Sequence, residues 1–211
     1  MLARWNDKMK IYQLFPEPVY SSNLERKLTK EESKIINEYK KKTKKNAGNS
    51  RTKDSYILEH QTLNNLKKDL HTKVMDYFDK VICTDNLITP CITQSWINYT
   101  ETNQFHHRHL HFNSLVSGIF YVSADKKVDS ITFCKPNADQ AIKLHATKYN
   151  PFNSTTLRSP VETGNVFLFP SRLLHGVDRK KGTNTRISLS FNVFFKGKLG
   201  IAEQLTELTI Q

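Results

Sequence analysis

Four of the chain's eight histidines fall within six residues of the stretch "FHHRHLHFNSLVSGIFYV", residues 105–122. His107, His109 and His111 alternate, so on an extended chain their side chains project to one side. Two imidazoles separated by one residue on a strand can share a metal ion, which leaves the 107/109 and 109/111 registers both open. A third ligand must come from elsewhere, and His175 in "GNVFLFPSRLLHGV" is suitably placed, just beyond a strand-like run and a proline turn. Eleven residues later stands Arg186, followed by Ser188. In "RISLSFNVFF", Arg186, Ser188, Ser190 and Asn192 share one face, while Ile187, Leu189, Phe191 and Val193 share the other. The apolar face must meet a core. The polar face is open to water or lines a cavity. At this point a metal site, a solvated loop and a basic nucleic-acid surface all compete for the histidines.

The elements that must position these residues divide the chain. "LFPEPVYSSNL" reads as an extended N-terminal segment. Thr29-Lys30-Glu31-Glu32 has the spacing of a capping box, predicting a helix from there to about Lys45. "NAGNSRTKDS" reads as a loop. Leu63, Leu66, Leu70, Val74 and Phe78 recur at steps of three and four, predicting a second helix with one core-facing stripe. After Pro90 the texture changes. "ITQSWINYT", "SLVSGIFYV", "SITFCKP", "GNVFLFP" and "RISLSFNVFF" are short, rich in β-branched and aromatic residues, and separated by turn formers. Helices followed by a run of strands predict an α+β, mainly β protein whose strands form a sandwich or barrel.

At 211 residues the chain has the length of one well-cored domain. The expected parts are 1–90, an extended segment and helices; 91–197, the strand core; and 198–211, a C-terminal tail. No stretch approaches the ~18 apolar residues of a membrane span, and the N-terminus lacks the apolar core of a signal peptide, so the expected location is the cytoplasm with no membrane partner. Cys83, Cys91 and Cys134 are odd in number and lack a Cys-x-x-Cys pair, which predicts buried free thiols. Net charge is +12, and residues 23–53 hold eleven Lys/Arg against four Glu. A solvated helix face with a lysine-rich loop behind it is the favoured reading of that segment. A nucleic-acid patch is the other, although no aromatic residues interleave the lysines. His60, His71 and His145 read as structural residues.

The order His-x-His, a gap of about sixty residues, His, and then Arg about ten further on resembles the iron(II)- and 2-oxoglutarate-dependent oxygenases. The strings "HLHFNSLVSGIFYV", "GNVFLFPSRLLHGV" and "RISLSFN" are similar to a small subfamily of bacteria and their phages. That subfamily's pattern is roughly His-x-His-Pro-x-Ser-x-x-Ser-Gly-x-Tyr-Tyr, Phe-Pro-Ser-x-x-x-His, and Arg-x-Ser-x-Ser-Phe-Asn. The resemblance spans about Trp96 to Phe195. It implies a double-stranded β-helix, a cupin-like jelly roll, with the N-terminal helices packed on it. Carried over, it implies His109, His111 and His175 as iron(II) ligands, His111 filling the position usually held by Asp or Glu. Arg186 and Ser188 would hold 2-oxoglutarate, with Tyr99 and Tyr121 as cosubstrate-binding tyrosines. Phe112 stands where the subfamily commonly has Pro. The implied activity is a dioxygenase that hydroxylates a substrate with release of succinate and CO2. A jelly-roll metal-binding module without catalysis and a basic nucleic-acid-binding protein remain as alternatives.

Overall fold

Thr29 opens the first helix as the capping box requires. Its hydroxyl accepts from Glu32 N at 3.1 Å, and the Glu32 carboxylate accepts from Thr29 N at 2.8 Å. In a computed structural model, which describes residues 11–84, 87–136 and 145–211, this helix is α1 (Lys30–Lys40). It follows β1 (Tyr20–Asn23) and precedes the hairpin of β2 (Thr43–Lys45) and β3 (Ser50–Thr52). The expected continuation of α1 to Lys45 and the expected loop after it are therefore corrected. Past Tyr39 the sequence offers no apolar residue for the helix to bury, and the backbone pairs as sheet instead. The predicted second helix is α2 (Asn64–Tyr77), with Leu66, Leu70 and Val74 fully buried along its stripe. The predicted extended segment, residues 14–24, contains β1, and residues 1–10 before it lie outside the described residues.

The strands that follow are β4 (Ile88–Thr100), β5 (His106–His109), β6 (Val116–Ser123), β7 (Ser130–Cys134) and β8 (Thr156–Pro160). Then come β9 (Asn165–Pro170), β10 (His175–Val177), β11 (Arg186–Leu199) and β12 (Leu208–Ile210). They form an eight-stranded sheet in the order β1-β9-β6-β11-β4-β3-β2, with β12 pairing β11, and a four-stranded sheet in the order β5-β10-β7-β8. All strand pairings are antiparallel. This is the mainly β, double-stranded β-helix architecture. Three strands of the large sheet come from before residue 90, and the expected tail contributes a fourth, so the expected boundaries at 91 and 197 cut through one continuous sheet.

Parity along the strands sorts the core. Leu189, Phe191 and Val193 of β11 join Ile97 and Tyr99 of β4 and the α2 stripe in a cluster between the large sheet and the helices. A second cluster, including Ile119, Tyr121, Ile131, Phe133, Phe167 and Phe169, fills the space between the sheets. Gly118 is needed where β6 meets β11, because a Cβ there would stand 2.1 Å from Phe191 Cζ. Among the cysteines, Cys134 is buried but Cys83 is exposed, which corrects the expectation for that thiol. None of the three is in a disulfide.

Candidate metal centre and cosubstrate pocket

The four-stranded sheet assembles the histidines. β5 and β10 pair so that His109 lies opposite His175. His111, one alternation further, is anchored by its backbone N–H donating to Ser171 O at 2.9 Å. Gly176 makes the close pairing possible, since a Cβ there would lie 3.0 Å from His106 O and 3.1 Å from His107 O. The structure brings His109, His111 and His175 together, with one ligand nitrogen from each within 4.8 Å of the others. A second group satisfies the same criterion: His106, His107 and His109. His109 belongs to both, so the ambiguity read from the alternating sequence has a physical counterpart.

The surroundings distinguish the two groups. In the first, every Nδ1 is held by an oxygen acceptor: His109 by His107 O at 2.8 Å, His175 by Leu173 O at 2.9 Å, and His111 by Asn192 Oδ1 at 2.6 Å. An Nδ1–H bonded to oxygen fixes the tautomer and leaves the Nε2 lone pair for a metal. Trp96 stacks on His111 with ring centres 5.6 Å apart, and Phe169 meets His175 edge-on at 4.6 Å. Burial lowers the pKa of His175 to about 3 and of His109 to about 4, and it lowers that of His111 as well. Neutral imidazole is the metal-binding form. The donor set therefore fits a divalent first-row ion such as iron(II). In the second group His107 is exposed and His106 Nε2 already accepts from Asn46 Nδ2 at 3.2 Å.

Most of the rest of the cavity comes from the facing sheet, with Ile131 added by the histidines' own sheet. Arg186, Ser188 and Ser190 of β11, Trp96 and Asn98 of β4, Tyr121 of β6 and Ile131 of β7 line the same space as His109, His111 and His175. Arg186 is only 2 % exposed. Its Nη1 and Nη2 make long hydrogen bonds to Ser130 O at 3.3 Å and Thr100 Oγ1 at 3.2 Å, and its buried Nε has no partner. Burial lowers its pKa. Asp129, the acidic group acting on it, is engaged by Lys180 Nζ at 3.6 Å and by Asn184 Nδ2 at 2.8 Å. Among the described residues Arg186 has no ion pair. A buried guanidinium without a carboxylate is costly, and a dicarboxylate entering this cavity would supply one. Asn98 donates to Ser190 Oγ at 3.1 Å, and its buried Oδ1 is likewise unpartnered.

Tyr121 is buried beside Arg186, its hydroxyl pushed up to about 12 chiefly by desolvation. Tyr99 is elsewhere. Its hydroxyl donates to Ile36 O at 2.9 Å in the core against α1, and its expected role at the cosubstrate is corrected. Tyr99 lies opposite Ile187 and Asn98 opposite Ser188, so Tyr99 has the core parity and Asn98 the cavity parity. Period-two reading of "SWINYT" would have selected Trp96, Asn98 and Thr100. Sequence reasoning also missed the contact of Asn192 with His111, although it placed Asn192 on the correct face. Of the remaining histidines, His60 Nδ1 accepts from Thr62 N at 3.2 Å, His71 Nε2 contacts Pro90 O at 3.0 Å, and His145 is exposed. A shallower groove along α1, lined by Leu28, Ser33, Asn37 and Lys41 among others, contains none of these groups.

Two facing antiparallel sheets thus enclose three histidines and a buried arginine in one cavity. Residues 94–192, which hold every cavity residue named above, match the family described as "Putative 2OG-Fe(II) oxygenase". No curated protein sequence matches the chain. Among solved structures, the chain is similar to HygX from Streptomyces hygroscopicus, crystallised with nickel, 2-oxoglutarate and hygromycin B. The TM-score is 0.57 at 13 % identity, covering 84 % of this chain and 82 % of HygX. It is similar also to a prolyl hydroxylase from Trichoplax adhaerens, crystallised with a peptide of hypoxia inducible factor. There the TM-score is 0.56 at 14 % identity, over 83 % of each chain. The α-ketoglutarate-dependent epimerase SnoN of nogalamycin biosynthesis gives 0.58 at 11 % identity, covering 84 % of this chain and 78 % of SnoN. At these identities the likeness is one of fold. No helix among the described residues is long and apolar enough to cross a membrane.

Proposed function

We propose that the protein is an iron(II)- and 2-oxoglutarate-dependent dioxygenase, a single domain over 1–211 working in the cytoplasm, that hydroxylates a substrate with release of succinate and CO2. The observation that carries this reading is the buried Arg186, without a carboxylate partner among the described residues, in the same cavity as three imidazoles whose Nε2 atoms accept no hydrogen bond from those residues. His109, His111 and His175 would hold the metal. Iron(II) with 2-oxoglutarate would supply the oxidising power for a C–H bond. The guanidinium of Arg186 binds the distal carboxylate of the cosubstrate, for which a planar fork of donors is suited. Ser188, two residues along the same strand face, adds a hydroxyl, and Tyr121 closes the wall beside it. Asn192, His107 O and Leu173 O keep the imidazoles oriented. Trp96 and Phe169 shield them from water, which strengthens every polar contact inside.

A histidine in place of the usual carboxylate leaves the metal one negative charge poorer, and the Asn192 contact partly offsets this by making the His111 imidazole a better donor. A metal-binding module without catalysis has no use for an unpaired buried guanidinium. The decisive test is anaerobic titration of the iron(II)-loaded protein with 2-oxoglutarate. A metal-to-ligand charge-transfer band is expected to appear and saturate. Iron binding with no such band would refute the oxygenase reading.

A further inference from the structure

The hairpin β2–β3 extends the large sheet beyond β4, and its register carries charge to the end of the cavity wall. Lys44 lies opposite Arg51, Arg51 opposite Asn98, Asn98 opposite Ser188, and Ser188 opposite Tyr121. Directly opposed residues occupy one face of a sheet. A single row therefore runs from the pocket to the sheet edge and ends in two cations. Like charges so opposed repel. Neither Lys44 nor Arg51 has an ion pair among the described residues. The neighbouring carboxylates are occupied: Glu101 by Lys40 and Thr185, Asp54 by Tyr39 and the backbone of Tyr56. Residues 40–53 as a whole contain seven Lys/Arg and no Asp or Glu.

The same hairpin touches the histidines. Asn46 Nδ2 donates to His106 Nε2 at 3.2 Å, and Phe105 N donates to Gly48 O at 3.1 Å. Arg179 sets its guanidinium 5.7 Å from the Phe105 ring centre. Phe112, next to His111 in the chain, is 80 % exposed. Phe105, which does not interleave the lysines in sequence, is thus set against their hairpin by the fold.

We propose that this rim binds single-stranded nucleic acid, with phosphates on Lys44 and Arg51 and a base presented to the histidine triad. This rests on the oxygenase reading and names its substrate class. A phosphodiester chain supplies regularly spaced negative charge for a cationic row, and an exposed ring such as Phe112 offers a stacking platform. A site enclosed between two sheets can act on a base only when that base is out of the duplex.

The test is fluorescence anisotropy with a labelled single-stranded oligodeoxynucleotide across a range of salt. Each lost phosphate contact on a single strand lowers the slope of log K against log salt by about 0.7. Lys44→Gln/Arg51→Gln should therefore lower it by about 1.4, which is roughly 25-fold between 1 M and 0.1 M salt. Lys44 is exposed, so Lys44→Gln alone should not lower the melting temperature, whereas Arg51→Gln also gives up donation to Thr52 O at 3.1 Å and Ser55 Oγ at 3.5 Å. Lys44→Arg/Arg51→Lys should bind as the native protein does, and Lys196→Gln/Lys198→Gln, at the other end of β11, should change nothing. With iron(II) and 2-oxoglutarate, the oligonucleotide should accelerate succinate release, and the charge-removing variant should lose that acceleration while retaining its 2-oxoglutarate affinity. An affinity untouched by the double substitution overturns the proposal. So does heparin binding with equal strength and an equal loss, or oligonucleotide binding that leaves succinate release unchanged. Failure of the native protein to bind 2-oxoglutarate is read in its own titration and counts against the oxygenase reading instead.

Discussion

Replacing Arg186 separates a ligand-binding role from a structural one. Arg186 is 2 % exposed, its Nε has no partner among the described residues, and its two other contacts are 3.2 and 3.3 Å long. Arg186→Lys keeps the charge but loses the fork. At about 1.5–3 kcal/mol for each hydrogen bond to a charged group, loss of one contact weakens 2-oxoglutarate binding by about 10- to 150-fold. Arg186→Met loses two such contacts and should weaken it by about 10²- to 10⁴-fold. Stability should move the other way. Exchanging an unpaired buried charge for an apolar side chain of similar length is neutral or stabilising, by up to about 4 kcal/mol in other proteins. Thermal melts with and without cosubstrate read both effects together. At a hundred times its dissociation constant, 2-oxoglutarate should stabilise the native iron(II) protein by about 2.7 kcal/mol, and this increment should vanish in Arg186→Met. If Arg186→Met binds 2-oxoglutarate within twofold of the native protein, or melts far lower without ligand, the arginine is a structural residue and the cosubstrate assignment fails.

Metal affinity should follow the inner triad. Calorimetric titration should show His111→Ala and His175→Ala losing tight binding and His107→Ala retaining it, while Asn192→Ala, which frees His111 Nδ1, costs about 10- to 100-fold. Gly118→Ala drives a methyl into the Phe191 ring and should cost about 1–3 kcal/mol, lowering the melting temperature by roughly 2–12 °C in calorimetry. At Glu32, burial raises the carboxyl pKa, but Arg26 and the Thr29 N–H lower it by more, leaving it below its ordinary value. The unfolded chain thus binds the proton more readily, so this contribution to stability is present above about pH 4.5 and lost as pH falls below it. Denaturant titrations from pH 3 to 7 should show a shallower acid decline in Glu32→Gln.

Where a residue's role depended on parity within one strand, it was legible in advance. The two faces of "RISLSFNVFF" divided between helix-packed core and cavity, and the stripe from Leu63 to Val74 became the buried face of α2 and the turn before it. The resemblance implies a cosubstrate role for Tyr99, but its parity beside Asn98 turns it into the core. The lysine segment misled for a different reason. Local propensity favours continuing α1 through Lys45, but pairing of β3 with β4 offers a sheet edge that only the tertiary fold reveals. Partners contributed from distant segments, such as Asn192 of β11 for His111 and Asn46 of the β2–β3 turn for His106, leave no local signal in a single sequence.

The strands that carry the triad are themselves slight. β5 has four residues and lies at the edge of its sheet, its one strand partner among the described residues being the three-residue β10, and their register slips between His175 and Val177. So short a pairing contributes few ladder bonds and should fray first, on the timescale that amide exchange reports. Because His109 and His111 lie on one side of that seam and His175 on the other, a bound ion would act as a rivet across it. Amides from His106 to His111 should then exchange rapidly in the metal-free protein and slowly in the loaded one, while the β4–β11 pairing exchanges slowly in both. In a cell poor in iron, the seam that receives the metal would be the first place where a protease could enter.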